Sequence, residues 1–292
     1  MRSPRLLAAA ALLALGGCRL DGDGMLLVLD PGYRAETLLT NADGIVSPDG
    51  LRWENGNLFI ADEGGSAVRV LRAGGKMETL ASASDGLKSP EDLARGPDGA
   101  LYWTDDDAGG LWRLGGDGKA ARRLAADGPM ASTEGLGVAP SGAMLVGGGE
   151  AGRIVLLAPD GGTRELPLRI GKPESMVFDA AGNLYIADNE ADALYVVTSD
   201  GKVHRPISGR EDFSPETLHL SGGALLITDS RHGKLHRYTP EDGLSTVAVL
   251  AGALGNVQGI TSDDAGNIYL SVQTDLKAKR GTVIRLVRKA GG

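Results

Sequence analysis

The sequence predicts an all-β chain that closes into a six-bladed β-propeller with four strands to a blade. Three observations predict it. A unit recurs six times at a spacing of about 40 to 43 residues, a period that belongs to propeller blades rather than helical solenoids when the content is strand-like. The 45 glycines among 292 residues supply the tight turns of an all-β chain. No stretch sustains a 3.6-residue apolar period, so almost no helix is expected.

Each unit reads as the same succession of elements. A first short strand follows an acidic position, as in Leu93-Ala94-Arg95. A turn of the Pro97-Asp98-Gly99 or Ala180-Ala181-Gly182 kind leads into an apolar second strand: Leu58 to Ala61, Leu101 to Thr104, Leu184 to Ala187 and Leu225 to Thr228. Short continuous apolar runs between turn residues suit strands buried on both faces. A polar loop precedes the third strand, Leu111 to Leu114 or Leu194 to Val197. Asp117-Gly118 or Asp200-Gly201 then turns into a fourth, such as Ala121 to Leu124, and Asp-Gly between apolar runs is a strong hairpin signal. The last unit ends after three strands. The segment Met25 to Leu39 resembles the third and fourth strands of a unit and is expected to close the sixth blade, with one strand or two. Such closure removes an open sheet edge.

The amino-terminal residues read separately, as a signal peptide (1–17), a lipidated tether (18–24) and the propeller (25–292). Arg2 and Arg5 precede an apolar stretch, Leu6 to Leu15, too short to span a bilayer as a mature helix. It ends in Leu15-Gly16-Gly17-Cys18, which resembles a bacterial lipobox. Cys18 is the only cysteine, so no internal disulfide forms, and lipid on Cys18 would hold the chain at a membrane. Arg19, in place of an aspartate, favours the outer membrane facing the periplasm. The expected setting is therefore the cell envelope, with a small molecule or an envelope protein as partner. A net charge of −8 argues against a nucleic-acid partner, and a monomer is expected.

The acidic position opens the chemistry. In the segments Ser47-Pro48-Asp49, Ser89-Pro90-Glu91, Ser132-Thr133-Glu134, Lys172-Pro173-Glu174, Ser214-Pro215-Glu216 and Asn256-Val257-Gln258, one phase carries Asp, Glu, Glu, Glu, Glu and Gln. Closed into a circle, six oxygen-bearing side chains point at one axis. Converging carboxylates bind a cation, take up protons, or stay wet and spread apart. Hard oxygen ligands select Ca²⁺ or Mg²⁺, and calcium takes roughly six to eight oxygens. Asp49, Glu91, Glu134, Glu174, Glu216 and Gln258 are the candidate metal ligands. The alternative is a water-filled channel.

The repeated Pro-Glu-x-Leu and Asp-Gly-x-Leu-Tyr units resemble a superfamily of six-bladed propellers. It includes the senescence-marker/gluconolactonase/luciferin-regenerating family, the calcium-dependent phosphotriesterases and the strictosidine-synthase-like proteins, with the NHL-repeat propellers close by. The resemblance covers nearly all of the mature chain. It implies a divalent ion in the central channel, held by residues of this same phase. The family's first-blade Glu falls on Asp49, a middle Asn on Glu174, and the fifth-blade Asp, base or nucleophile, on Glu216. Glu216 is accordingly the candidate catalytic residue. Each position departs from the family in residue type while keeping a carboxylate oxygen.

The loops between second and third strands share a face with the ring. The Asp that opens four of them is expected to accept backbone N–H bonds and fix the turn. Asn189, Arg231 and His232 are candidate substrate-contacting residues at the rim, and Gly147 to Gly149 suggest a gap in it. His219 is expected to be a bonded core histidine. Two functions stay open: a metal-dependent hydrolase of a lactone, ester or related small molecule, and a non-catalytic binding or scaffold propeller. A strictosidine-synthase-like condensation needs an aromatic pocket, and aromatics make up only 4% of the chain.

Overall fold

The computed structural model describes residues 20–21, 25–116, 121–125, 130–149, 152–251, 255–275 and 277–289. The leader, Cys18 and most of the tether lie outside the described residues.

Six antiparallel sheets form the blades. Blade I consists of Pro48–Glu54, Asn57–Asp62, Ala67–Leu71 and Met77–Ala81. Blade II consists of Pro90–Arg95, Leu101–Asp105, Leu111–Leu114 and Ala121–Ala125. Blade III runs Leu136–Val138, Met144–Gly148, Arg153–Leu157 and Thr163–Glu165; blade IV runs Pro173–Phe178, Leu184–Asp188, Ala193–Val197 and Val203–Ile207. Blade V has Pro215–Ser221, Ala224–Asp229, Lys234–Thr239 and Gly243–Leu250. Blade VI has Asn256–Ser262, Ile268–Asp275 and Arg280–Arg288. Each innermost strand touches that of the next blade, and the sixth touches the first, so the sheets form a ring.

The core lies between blades. Phe59, Val68 and Val70 of blade I pack against Leu93, Trp103 and Trp112 of blade II, and the pattern repeats around the circle. The second strand therefore has a blade on each side. Ile60, Trp103, Ile186 and Ile227 are all fully buried, which explains the unbroken apolar runs. Each such side chain contributes about 1.5–3 kcal/mol of transfer free energy.

The amino-terminal segment closes the sixth blade with one strand and gives another to blade V. Tyr33–Leu39 is the outer strand of blade VI, paired with Arg280–Arg288. Its ion pair Glu36–Arg285 and the hydrogen bond from Thr282 Oγ1 to Leu39 O (2.6 Å) hold it there. Of the one or two strands expected there, one is found; Leu26–Val28 extends blade V by pairing with Gly243–Leu250, and Leu20–Asp21 pairs in turn with Leu26 and Leu27. The reason is chain direction. Asp30, with its side chain accepting from Gly32 N (2.8 Å), turns the chain between neighbouring blades instead of folding a hairpin within one.

Candidate functional site: an acidic ring at the channel mouth

The ring position is a β-bulge in five blades. Strand register slips between Pro48 and Leu51, Pro90 and Leu93, Pro173 and Ser175, Pro215 and Leu218, and Val257 and Ile260. A bulge re-aims the extra residue out of the pleat. Here it turns Asp49, Glu91, Glu174, Glu216 and Gln258 away from the interblade core. In blade III, Glu134 stands just before its strand, and its N–H bonds to Gly147 O (3.0 Å).

Two devices bring the bulges close. The first is a glycine after the ring residue in blades I, III and VI. A β-carbon at Gly50 would overlap the carbonyl of Glu91, one at Gly259 that of Asp49, and one at Gly135 would press on Pro173 and Glu174. The second is a hydroxyl on the second strand that reaches the ring residue of the next blade. Thr104 donates to Glu134 O, Thr228 to Gln258 O and Ser271 to Asp49 O. The backbone before the ring is fixed as the sequence led one to expect. Asp62 accepts from the N–H groups of Val46 and Ser47 (both 2.9 Å), and Asp105 and Asp188 do the same for Lys88–Ser89 and Gly171–Lys172. Asp229 also holds His232, through its N–H (3.0 Å) and its Nδ1 (2.9 Å).

Asp49, Glu91, Glu134, Glu174 and Glu216 enclose a free volume of about 10 Å³, room for one water-sized particle. The ring has three sectors. Between blades III and IV, Lys172 Nζ lies 3.0 Å from Glu134 Oε1 and 2.9 Å from Glu174 Oε1. The second contact is an ion pair without hydrogen-bond alignment, so buried Glu174 Oε1 has no hydrogen-bond partner. In blade V, Glu216 accepts from Asn189 Nδ2 (3.1 Å) and from the Ser230 hydroxyl. Between blades I and II, Asp49 and Glu91 lie within hydrogen-bonding reach of each other, with Glu63 and Asp106 near by and, among the described residues, no ion-pair partner. Glu91, Glu134 and Glu216 are half-buried, whereas Asp49 and Glu174 are buried.

Burial raises the pKa of all five acids. For Asp49, Glu91 and Glu174 the charge of their neighbours adds to it, and these three rise well above the carboxylate range. Glu134 and Glu216 rise less, because Lys172 offsets burial for the first and the Ser230 and Asn189 hydrogen bonds do so for the second. Asp92, beside Glu91, is pushed up to about 6 by burial although it accepts from Leu93 N (2.8 Å) and Leu136 N (3.1 Å).

The donor set suits a hard divalent cation. Every ring donor is oxygen, Glu174 Oε1 and Gln258 Oε1 are buried without a hydrogen-bond partner, and Lys172 is the one cation that pairs with ring acids among the described residues. Among the described residues, no three His, Cys, Asp or Glu side chains already stand in a ligating arrangement. Gln258 departs from the expected set. Its Nε2 bonds to Gln273 Oε1 (3.3 Å), and it does not line the enclosed space.

A cavity of about 780 Å³ opens beside the ring, lined by Lys172, Asn189, Glu190, Ser214, Ser230, Arg231 and Asn256, all of them polar. Arg231 is held by Asp192 Oδ1 (3.0 Å) and Asn189 O (3.2 Å). His232 is not among the lining residues; its ring is drawn back onto Asp229. Gly147 to Gly149 are not a gap. A β-carbon at Gly147 would strike Pro173 O and one at Gly149 the Ser132 hydroxyl, so these glycines permit close packing of blade III on its neighbours. His219 is bonded as expected, Nε2 to Ser262 Oγ (2.8 Å), and burial lowers its pKa to about 4. Sequence reasoning passed over Lys172, Asp92, Glu63 and Asp106. Only Lys172 left a signal: at its phase the other blades carry Ser47, Ser89, Ser132, Ser214 and Asn256.

Residues 76–114, from the outer strand of blade I into blade II, match the strictosidine synthase-like, N-terminal family. A comparison with curated proteins finds no significant match. Many solved structures share the fold. A gluconolactonase from Xanthomonas campestris superposes with a TM-score of 0.69 at 19% identity, covering 96% of this chain and 93% of that one. Regucalcin, a calcium-binding protein from Agrobacterium tumefaciens strain C58, gives 0.67 at 18% identity, with 84% and 90% covered. Virginiamycin B lyase from Staphylococcus aureus gives 0.63 at 16% identity, with 89% and 90% covered. At these identities the likeness is one of fold: this chain is a six-bladed β-propeller of the architecture that gluconolactonase and regucalcin also have.

Proposed function

We propose that the ring binds a hard divalent cation, calcium by preference over magnesium, and that the chain hydrolyses a small hydrophilic lactone or ester taken into the adjoining cavity. One observation carries this reading. Glu216 lines the enclosed ring, while both of its hydrogen-bond partners, Asn189 and Ser230, line the cavity. The cation site and the substrate space thus meet at one carboxylate.

The chemistry that a bound ion supplies is polarisation of a carbonyl oxygen. The remaining work falls to the chain. Asn189 and Ser230 fix the orientation of the Glu216 carboxylate. Burial raises its basicity, so it accepts the proton as water attacks the carbonyl carbon. The proton returns to the alkoxide as the C–O bond breaks. A lining without apolar side chains selects ligands rich in hydrogen-bonding groups and disfavours aryl esters. The test is hydrolysis by purified protein across hydrophilic lactones and esters, with and without chelator, for the wild type and Glu216→Gln. Absence of chelator-sensitive turnover in the wild type sinks the hydrolase reading.

A second reading, a non-catalytic ligand-binding propeller, is favoured by the absence of a ligating arrangement among the described residues. Ligand uptake that survives Glu216→Gln, with no turnover in either protein, would select it. We also propose that the chain is an envelope lipoprotein, anchored through Cys18 to the outer membrane and facing the periplasm. Labelled fatty acid incorporated by the wild type and lost in Cys18→Ala is the check.

A further inference from the structure

We infer that Lys172 is a built-in counter-cation, fixed on the blade III–IV side of the ring, and that it leaves place for one exchangeable divalent ion opposite, among Asp49, Glu91 and Glu216.

The first argument is position. Lys172 stands two residues before the ring acid of blade IV, a phase held by serine in four blades and asparagine in one. A long cationic chain stands here where the other blades carry a short polar side chain, and it reaches two ring acids. The second argument is anchorage. Its N–H is bonded to Asp188 Oδ1 (3.0 Å) and Pro173 follows it, so the stem leaves a rigid base. The third is partnership. Nζ sits at 3.0 and 2.9 Å from carboxylates of successive blades, and the Glu174 side chain is only 3% exposed. With Lys172 29% and Glu134 12% exposed, this cluster is screened by salt less than the surface pairs of the outer strands.

The ring's remaining acids define the other half. Asp49 and Glu91 have no ion-pair partner among the described residues, and Glu216, although the charge of Lys172 lowers its pKa, takes its hydrogen bonds from the neutral donors Asn189 and Ser230. The space these acids share is small, about 10 Å³, and a single ion is the occupancy expected of it. The ammonium repels a cation on its own side and directs it to the far side.

This inference deepens the cation-binding reading, and its test separates the two. Chelator-treated wild type, Lys172→Ser (the residue of the other blades) and Lys172→Arg are titrated with calcium by calorimetry, after circular dichroism has confirmed the fold. The expected result is one calcium in the wild type, binding at least tenfold tighter or a second calcium in Lys172→Ser, and wild-type behaviour in Lys172→Arg. Unchanged stoichiometry and affinity in Lys172→Ser overturn the inference. If no variant takes up calcium, the metal reading falls by itself, and thermal unfolding in chelator decides on Lys172. Melting lowered by several degrees in Lys172→Ser and restored in Lys172→Arg supports the counter-cation role, and equal melting of all three overturns it.

Discussion

The hydroxyl of Ser271 in blade VI donates to the carbonyl oxygen of Asp49 in blade I and accepts the N–H of Gly259 (2.7 Å), so the last blade is joined to the first at the ring itself. Ser271→Ala strands both groups in a buried site. The expected cost is about 1–3 kcal/mol, the penalty for unsatisfied buried polar groups. It should appear as a lower urea midpoint with an unchanged slope.

Gly50 and Gly259 leave no room for a β-carbon against the carbonyls of Glu91 and Asp49. Gly50→Ala and Gly259→Ala should each destabilise by about 1–3 kcal/mol through forced backbone movement. Gly74→Ala, at a turn with open space around it, serves as the control and should change little. Parallel denaturation curves measure the difference.

Calcium affinity should fall unevenly around the ring. Asp49→Asn and Glu216→Gln each remove a charge from the half without a resident cation, and a loss of at least tenfold is expected on calorimetric titration. Glu174→Gln acts on the half that Lys172 already neutralises, so its effect should be smaller. An equal loss in all three would place the ion at the axis.

The ring sets a pH dependence whose sign follows from the raised pKa values. A carboxyl whose folded pKa lies above its unfolded value binds more protons in the native state, so stability falls as pH rises between the two values. For Asp92 that window runs from 3.8 to about 6. Asp49, Glu91 and Glu174 extend it upward. In chelator, the melting temperature should therefore decline from about pH 4 upward. Asp92→Asn should flatten the lower part, and calcium should flatten the upper part.

The sequence made the blades legible because each unit repeats its turns and its buried second strand. It made the ring legible because Asp49, Glu91, Glu134, Glu174, Glu216 and Gln258 share one phase. The bulges were not legible, since Pro-Glu before a strand reads the same whether or not the residue is extra to the ladder. Hence the sideways turn of Gln258 onto Gln273 was missed. Lys172 was hidden by its reach: side-chain length carries it into a site that its own phase does not point to. Met25 to Leu39 was legible as the segment that closes the last blade, but not how many of its strands do so. Its two apolar strands look like a hairpin, and nothing local tells which blade edge each will meet. The glycines at 147–149 read as missing side chains, whereas their role is the backbone approach they permit.

The division of the amino-terminal segment between blades V and VI has a mechanical consequence. Traction on the chain ahead of Leu20 meets first the pairing of Leu20–Asp21 with Leu26–Leu27 and then the short ladder of Leu26–Val28 with Ala248–Leu250. That ladder can peel away and re-form while Tyr33–Leu39 still seals the circle against Arg280–Arg288. With three residue pairs against six, the blade V ladder is expected to yield to a pull before the seam of blade VI does.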